Sequence, residues 1–262
     1  QPADLCVVNS CTVTHIGDRK SRHLIRQAVR ANPDAFVTVT GCYAQVDPAA
    51  VQGIAGVSAV IGNAGKGRLL DALREQGLCF GGSEGGSERR KEDETSSLPR
   101  SLAPSLPPRT RAFVKIQEGC DNRCSYCIVP RARGEGHSLA PAAILGEIDR
   151  LAEEGYQEVV LTGVNITAYG RDADAPGARD ASRGMGLVRL LEAILERTEI
   201  PRIRLSSLQP EDWNPHFCDL WTTGRLCRHL HLSLQSGSDG VLRRMRRRYN
   251  TSQYSRIVEE AR

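Results

Sequence analysis

The 262-residue sequence has no long apolar stretch and no secretory signal, although 40% of its residues are hydrophobic. The first absence excludes an ordinary membrane-spanning helix, and the second argues against an exported protein. A strong charge of one sign is also missing, because 35 Lys and Arg against 31 Asp and Glu leave a formal charge of +4. That balance is compatible with nucleic-acid binding without establishing it. We therefore predict a cytoplasmic protein with no membrane partner.

Nine cysteines are present, and in a reducing compartment we expect them as metal ligands or core residues rather than as disulfides. Cys120, Cys124 and Cys127 form a Cys-x3-Cys-x2-Cys run. A disulfide would leave one of these thiols alone, whereas three thiolates on a short loop can bind one soft metal centre. Zinc usually takes a fourth protein ligand and none lies nearby, while iron–sulfur clusters are held by thiolates at short spacings. A structural zinc site and a loop of buried thiols remain alternatives.

Residues 1 to 80 alternate between predicted strands, at 4–9, 36–40 and 59–61, and predicted helices, the first of them capped by Asp18. This order predicts a parallel sheet with crossover helices. Cys11 and Cys42 would each follow the C-terminal end of a strand, where open parallel sheets bind ligands. Taken alone, each is more often a buried small side chain than a ligand.

Residues 81 to 110 are predicted to form a flexible linker, because Gly, Ser and Pro supply 14 of these 30 positions and no apolar period is present. From 111 to 262, strands predicted at 112–117, 158–162, 202–206 and 229–234 alternate with helices. Periodicity allows either a doubly wound sheet or a βα barrel. In a barrel, the cysteine loop would follow the first strand at the end where active sites form.

The cysteine run, with Tyr126 directly before its third cysteine, resembles the signature of the radical S-adenosylmethionine (SAM) superfamily. The longer stretch 119–134 resembles the methylthiotransferase branch of that superfamily. Further segments with the same resemblance lie at 9–14, 40–45, 163–170, 205–210 and 232–239. The resemblance implies an α/β fold, in which residues 1–80 form an N-terminal parallel-sheet domain and residues 111–262 form a partial radical SAM βα barrel.

The same resemblance implies two cofactor sites. Cys120, Cys124 and Cys127 would hold a 4Fe–4S cluster whose open iron binds SAM. Cys11 and Cys42 would belong to a second, auxiliary 4Fe–4S cluster associated with sulfur delivery. The first cysteine of that auxiliary set has no counterpart in this sequence, so we expect the second cluster to lack a ligand here.

Residues around the barrel mouth are implied to contact SAM and substrate: Gly163, Asn165, Ser206 and Gln235, with Tyr126 against the adenine. Glycine permits close backbone approach, and the polar side chains offer hydrogen bonds to ribose, carboxylate or ammonium groups. A structural role as a turn residue or helix cap explains each of the residues other than Tyr126 about as well as contact with SAM or substrate does. No catalytic side chain is expected beyond the cluster and SAM.

The implied activity is the addition of a methylthio group to threonylcarbamoyl-modified adenosine next to the anticodon of tRNA. Its partners would be tRNA, an electron donor such as flavodoxin or ferredoxin, and a sulfur donor. Alternatives are isopentenyladenosine in tRNA, an aspartate of a ribosomal protein, or a non-catalytic iron–sulfur or RNA-binding fragment. We also expect the chain to be a fragment that lacks both termini and is therefore inactive as it stands.

Two basic segments are expected either to bind RNA phosphate or to be merely solvated. One is a face of the first predicted helix, and the other is a run after residue 242. Their members are Arg19, Lys20, Arg22, Arg26 and Arg30 in the first, and Arg243, Arg244, Arg246, Arg247 and Arg248 in the second.

Overall fold

The computed structural model describes residues 3–78, 110–172 and 186–262. These residues fall into two compact units, one before residue 79 together with 131–133, and the other comprising 110–130 and the described residues after 133. The predicted linker at 81–110 lies outside the described residues except for its last position, and the boundaries at 80 and 111 stay predictions. No helix among the described residues is long and apolar enough to cross a membrane.

The first unit alternates strands and helices along the chain, as predicted. Its three strands lie in the order β1-β2-β3, and both neighbouring pairs are parallel. The elements are β1 (Leu5–Ser10), α1 (His15–Ala31), β2 (Phe36–Gly41), α2 (Cys42–Val46), α3 (Pro48–Gln52), β3 (Ala59–Ile61) and α4 (Leu69–Glu75), with a 3-10 helix at Asn63–Arg68.

Helix α1 begins earlier than the sequence predicted. Thr14 caps it by accepting a hydrogen bond from the Gly17 amide at 3.0 Å, and Asp18 lies inside the first turn. Thr14 and Asp18 are both suitable caps, and Asp18 still interacts favourably with the positive end of the helix from where it lies. Ile25 on α1 is fully buried and packs with Val39 of β2 and Val51 of α3 in the core of this unit.

From residue 110 onward the chain again alternates. Its elements are β4 (Arg111–Lys115), β5 (Gln117–Glu118), α5 (Val129–Arg133), β6 (His137–Ser138), α6 (Pro141–Glu153), β7 (Glu158–Thr162), α7 (Leu187–Arg197), β8 (Arg202–Leu205), β9 (Ser207–Leu208), β10 (His231–Leu232), α8 (Asp239–Arg244) and α9 (Thr251–Glu260). Strands β4, β7 and β8 form a parallel sheet in that order, β9 and β10 form a second parallel pair, and β5 and β6 pair antiparallel.

The parallel strands with intervening helices confirm the α/β fold class with a partial barrel. The predicted strand at 229–234 is only two residues long, and the helical stretch before it consists of three 3-10 helices, at Pro210–Asp212, Pro215–Phe217 and Asp219–Thr223. Two of these short helices begin at a proline. Proline suits the first position of a helix, but it has no backbone N–H and could not lie inside a longer helix without breaking its hydrogen bonds.

One face of the sheet β4-β7-β8 is packed against helices. Helix α6 buries Ile144, Leu145, Ile148 and Leu151, the same four residues that its period predicted. Helix α7 adds Leu187, Leu190, Leu191 and Ile194 to this core. The burial of this face fixes the C-terminal ends of the three strands, and the cysteine loop follows the first of them.

A carboxylate and three arginines lie on the other side of the sheet. Glu158 is 4% exposed, and its oxygens lie 2.7 Å from Arg204 Nε, 2.7 Å from Arg111 Nε and 3.3 Å from Arg202 Nε. The hydrogen bond from Arg204, with the charges of the other arginines, lowers the pKa of this carboxyl group below 4.5. Sequence analysis did not identify this cluster, because its members come from three strands.

Candidate functional site

The cysteine loop leaves the sheet through a tight turn at Gly119. This residue has φ +67°, and a Cβ built on it would lie 1.7 Å from the carbonyl oxygen of Glu135. A side chain at Gly119 would therefore push the Glu135 backbone away, and it would also strain the backbone of residue 119 itself. The Cys120 amide donates to the Gly134 carbonyl at 3.1 Å, so the two ends of the loop are held together.

The middle of the loop is fixed by the C-terminal end of α8 and the residue that follows it. The Ser125 amide donates to the Met245 carbonyl at 3.2 Å, and the Ser125 hydroxyl donates to the Arg244 carbonyl at 2.9 Å. Within the loop, the Cys127 amide donates to the Cys124 carbonyl at 3.1 Å. These bonds give the run between Cys120 and Cys127 a defined backbone path, although it contains no regular helix or strand.

All three thiols of the loop are free, with Cys120 and Cys124 partly buried and Cys127 exposed. Burial raises the pKa of the Cys120 thiol, a backbone hydrogen bond from Asn122 opposes this, and the neighbouring Cys124 and Cys127 thiols raise the pKa further. A bound cation would relieve this electrostatic cost by taking the place of the proton.

The donor set fits an iron–sulfur cluster better than a single metal ion. Among the described residues, no three His, Cys, Asp or Glu side chains are arranged to hold one ion. A tetrahedral zinc site would need its ligands to converge in that way, whereas the thiolates of a 4Fe–4S cluster bind separate irons. Three soft thiolates on one partly exposed loop therefore match the group that the sequence resemblance implied.

The Gln117 side chain joins the start of this loop to the end of β7. Its amide nitrogen donates to the carbonyls of Glu118 and Gly119 at 2.7 and 2.9 Å. Its amide oxygen accepts from the backbone amides of Val164 and Asn165 at 3.0 and 2.8 Å. Gln117 itself is 2% exposed, and two of its four bonds are fully buried, so the side chain holds two strand ends in register in a largely water-excluded place.

Three of the expected SAM contacts follow the C-terminal ends of parallel strands. Gly163 follows β7, and a Cβ there would lie 2.7 Å from the Gln117 carbonyl, so only glycine allows this approach. Ser206 follows β8, and its hydroxyl is buried with no hydrogen-bond partner among the described residues. Gln235 follows β10 in an exposed turn with φ +62°. Their roles stay predictions, and the buried Ser206 hydroxyl would have to become accessible before it could bind a ligand.

Asn165 and Tyr126 differ in their freedom to bind a ligand. The Asn165 side chain is occupied internally, since its amide nitrogen donates to Asp212 at 3.3 Å and its oxygen accepts from Thr167 at 2.7 Å. Tyr126 is 51% exposed and lies in the cysteine loop near Arg247. A ligand could stack on Tyr126 without rearrangement, whereas direct contact through the Asn165 amide would require breaking an internal bond.

Arg247 is a residue of this site that sequence analysis did not identify. Its side chain is only 3% exposed, and its guanidinium donates to Cys124 Sγ at 3.4 Å and to the Gln209 side-chain oxygen. It also lies 3.6 Å from Glu211, which is 5% exposed, and 5.3 Å above the Tyr249 ring. The arginine that we had grouped with a surface run therefore lies inside the protein against a cysteine thiol.

Arg247 is buried because of the way in which helix α8 ends. The Arg247 amide donates to the Leu242 carbonyl at 2.9 Å, and Arg246 has φ +59°, which together form a Schellman C-cap. Such caps usually carry glycine, so an arginine at this position hides the turn in the sequence. The turn directs Arg247 inward while Arg246 and Arg248 remain exposed. The run Arg243 to Arg248 is therefore not one continuous surface.

In the first unit, Cys11 and Cys42 occupy neighbouring strand ends. Ser10 pairs with Gly41 in the parallel register, so each cysteine is the first residue after the end of its strand. Gly41 has φ +99°, and a Cβ there would lie 2.3 Å from the Ser10 carbonyl, which makes this close approach dependent on glycine. Cys11 is exposed and Cys42 is buried, and the Asn63 amide contacts Cys42 Sγ at 3.5 Å.

The backbone of Cys11 is held by helix α1. The Ser21 hydroxyl accepts from the Cys11 amide and donates to the Cys11 carbonyl, both at 2.9 Å. Ser21 is 3% exposed, so these bonds lie within the unit. The structure thus brings the two predicted auxiliary ligands to one edge of the sheet, and their role as ligands stays a prediction.

With this geometry described, comparisons with known proteins define the class. Residues 114–262 match the model of the radical SAM superfamily, and residues 1–62 match the Uncharacterized protein family UPF0004. Since the first match spans more than half of the sequence, this chain belongs to the radical SAM superfamily. Membership supports a 4Fe–4S cluster and SAM as cofactors, and the cysteine loop lies inside the matched region.

Within this superfamily, the chain is similar to curated methylthiotransferases that act on tRNA. The chain is 39% identical to the threonylcarbamoyladenosine tRNA methylthiotransferase MtaB of Bacillus subtilis (strain 168), over 95% of this chain and 53% of the relative. It is 37% identical to the MtaB of Aquifex aeolicus (strain VF5), over 98% and 60%. It is also 33% identical to the tRNA-2-methylthio-N(6)-dimethylallyladenosine synthase of Lawsonia intracellularis (strain PHE/MN1-00), over 98% and 58%. The chain thus spans little more than half the length of these relatives.

A solved structure supports the fold. The radical SAM methyltransferase TsrM from Kitasatospora setae, with cobalamin and a [4Fe-4S] cluster bound, is similar with a TM-score of 0.63. The match covers 99% of this chain and 56% of that protein at 17% identity. At this identity the likeness concerns the fold alone.

Proposed function

We propose that this chain is part of a radical SAM methylthiotransferase that acts on threonylcarbamoyl-modified adenosine next to the anticodon of tRNA. The observation that carries the proposal is the cysteine loop, whose three free thiols lie on one fixed backbone path at the end of a parallel strand. The names of relatives at 39% and 37% identity over nearly the whole chain support the methylthio transfer and the tRNA substrate.

Under this proposal Cys120, Cys124 and Cys127 hold the 4Fe–4S cluster at which SAM binds. When bound, the cluster and SAM supply one-electron chemistry that generates a radical able to abstract hydrogen from the adenosine. The residues of the chain hold and shield these groups: Gln117 fixes the loop to β7, Gly163 permits close backbone approach, and Ser206 offers an unpartnered hydroxyl. Asn165, Gln235 and Tyr126 complete the proposed SAM and substrate contacts.

Cys11 and Cys42 are the proposed ligands of the auxiliary 4Fe–4S cluster from which sulfur is delivered. Their adjacency across β1 and β2 supports this role, because two thiolates at one sheet edge can share a cluster. A third ligand is not identified in this chain. The proposed partners are tRNA, an electron donor such as flavodoxin or ferredoxin, and a sulfur donor, and the proposed location is the cytoplasm.

The substrate is tested by mass spectrometry of tRNA nucleosides from a strain in which the gene is deleted. We expect loss of methylthio-threonylcarbamoyladenosine and accumulation of its precursor without the methylthio group. An unchanged level of the methylthio nucleoside would contradict the proposed substrate. The same spectra test the isopentenyladenosine alternative, which the Lawsonia intracellularis relative favours, through loss of the corresponding methylthio nucleoside.

Enzymatic competence is tested separately on the chain itself. After anaerobic reconstitution with iron and sulfide, we expect it to cleave SAM to deoxyadenosine under a strong reductant, whereas the complete methylthio transfer is expected to be absent from this fragment. A chain that binds iron and sulfide but never cleaves SAM would favour a non-catalytic iron–sulfur module instead.

A further inference from the structure

A buried arginine lies against one of the proposed cluster ligands. Arg247 donates to Cys124 Sγ at 3.4 Å from a side chain that is 3% exposed. A guanidinium is cationic at every physiological pH, so this contact places a permanent positive charge and an N–H donor beside the sulfur. A buried charge is costly unless it is paired and hydrogen-bonded. The partners of this guanidinium therefore determine how much of its charge is left to act on the sulfur.

The pairing of Arg247 is incomplete within the protein. Its guanidinium contacts Gln209 and lies 3.6 Å from Glu211, yet Arg247 Nε and Glu211 Oε2 are buried with no hydrogen-bond partner among the described residues. The remaining carboxylate oxygen of Glu211 accepts from the Asn122 amide at 3.3 Å, inside the cysteine loop. One positive and one negative group thus lie beside the loop, and neither is fully neutralised by the other.

The backbone holds this arrangement in place. The bonds from Ser125 to the Arg244 and Met245 carbonyls fix the loop to the end of α8, and the following left-handed turn directs Arg247 toward Cys124. The Tyr249 ring lies under the guanidinium, and its hydroxyl donates to the carbonyls of Ser233 and Leu234. The contact is therefore built into the fold rather than made by a freely rotating surface side chain.

We propose that Arg247 is a positioning residue that makes the cluster on Cys120, Cys124 and Cys127 easier to reduce, with Glu211 acting in the opposite direction. This inference rests on the proposed function, since it assumes a cluster at that loop. Reduction transfers one electron from an external low-potential reductant to the cluster, and no bond to Arg247 forms or breaks. The reduced cluster carries one more negative charge, which an N–H donor and a cation at the sulfur stabilise.

The test is a redox titration of the full chain carrying its reconstituted cluster, followed by electron paramagnetic resonance without SAM. For Arg247→Gln we expect the ratio of reduced to oxidised cluster at a fixed potential to fall about tenfold, a shift of about 59 mV to more negative potential. For Glu211→Gln we expect the opposite sign, because a negative charge beside the cluster is removed. Arg247→Lys, which keeps the charge but loses the planar fork, should lie between wild type and Arg247→Gln.

Arg248→Gln is the matched control, because it removes one exposed arginine next to the buried one and should leave the midpoint unchanged. A purely structural role for Arg247 would lower the iron content without producing shifts of opposite sign. If Arg247→Gln assembles no cluster, the inference is tested with Glu211→Gln and Arg247→Lys instead. Midpoint potentials that are unchanged from wild type in both variants would overturn it.

Iron and sulfide are measured before each titration, so two kinds of failure are separated. A wild-type chain that takes up no cluster overturns the proposed function and this inference with it. A wild-type chain with a cluster whose midpoint does not respond to Arg247 and Glu211 overturns this inference alone.

Discussion

Single residues in this chain are held by groups that are distant in the sequence, and Glu158 shows this most clearly. Its carboxylate starts β7, accepts hydrogen bonds from two arginines on β8 and forms an ion pair with Arg111 on β4, so it links all three strands of the sheet. The carboxylate is nearly buried while two of the arginines are about half exposed. Loss of the carboxylate would therefore cost its hydrogen bonds without leaving fully buried cations.

We expect Glu158→Gln to lower the free energy of unfolding by about 2 kcal/mol at neutral pH, the usual size for hydrogen bonds to a charged group. The pKa of Glu158 is lowered in the folded protein, chiefly by Arg204, so its contribution is present above about pH 4.5. It is lost as the pH falls through the lowered pKa. Denaturant titrations of both proteins across this range should show their stability difference shrinking in acid.

Glu192→Gln is the matched control, since Glu192 is an exposed carboxylate on α7 and its loss should change stability by no more than about 0.5 kcal/mol. A stability difference between wild type and Glu158→Gln that persists unchanged at acid pH would show that the carboxylate charge is not its source.

At the scale of elements, helix α1 combines a core-facing stripe with a basic one. Ile25 is buried, while Arg26 and Arg30 are exposed and, with Arg22, line a cleft of about 820 Å³ against α2 and α3. Arg22 is partly satisfied, because it donates to the Tyr43 hydroxyl at 3.0 Å. Arg26 and Arg30 are thus the residues of this stripe best placed to meet RNA phosphate.

Replacing both Arg26 and Arg30 with Gln should weaken tRNA binding. If each contacts one phosphate, the slope of log affinity against log salt should become shallower by about 1.5 to 2 units. Filter binding of the chain to tRNA at several salt concentrations measures this. The control is the pair Arg189→Gln and Arg197→Gln on α7, which removes the same charge from exposed positions. Equal losses in the two double variants would mean that net charge, rather than the α1 stripe, accounts for the effect.

The elements also show what could be predicted from the sequence. Helix α6 was predicted down to its four buried residues, because an amphipathic period records burial directly. The Cys-x3-Cys-x2-Cys spacing likewise singled out a loop inside the region that matches the radical SAM superfamily, and the role of its thiols as cluster ligands stays a prediction. Arg247 was not predicted to be buried, because its position depends on a left-handed turn at Arg246, where the sequence offers no glycine. Gln117 was also missed, since nothing local shows that its amide joins two strand ends.

At the scale of the whole molecule, the chain carries two sets of thiols, each at the C-terminal ends of parallel strands but in different compact units. The set in the second unit has three thiols on one loop, and the set in the first consists of Cys11 and Cys42 among the residues that the structure describes. If both sets bind iron–sulfur clusters as proposed, a cluster anchored by two thiolates should hold its iron less firmly than one anchored by three.

We expect the reconstituted chain to retain about four irons after treatment with a chelator, the number in one cubane cluster. Cys120→Ala should abolish this retained iron, because two thiolates then remain on the loop. Cys42→Ala should leave it intact and remove only iron that the chelator takes first. Iron and sulfide assays before and after chelation measure both fractions, with Cys227→Ser as the control for a free thiol outside either set. About eight retained irons would contradict an incomplete auxiliary site, and retention of four in Cys120→Ala would contradict the assignment of the loop.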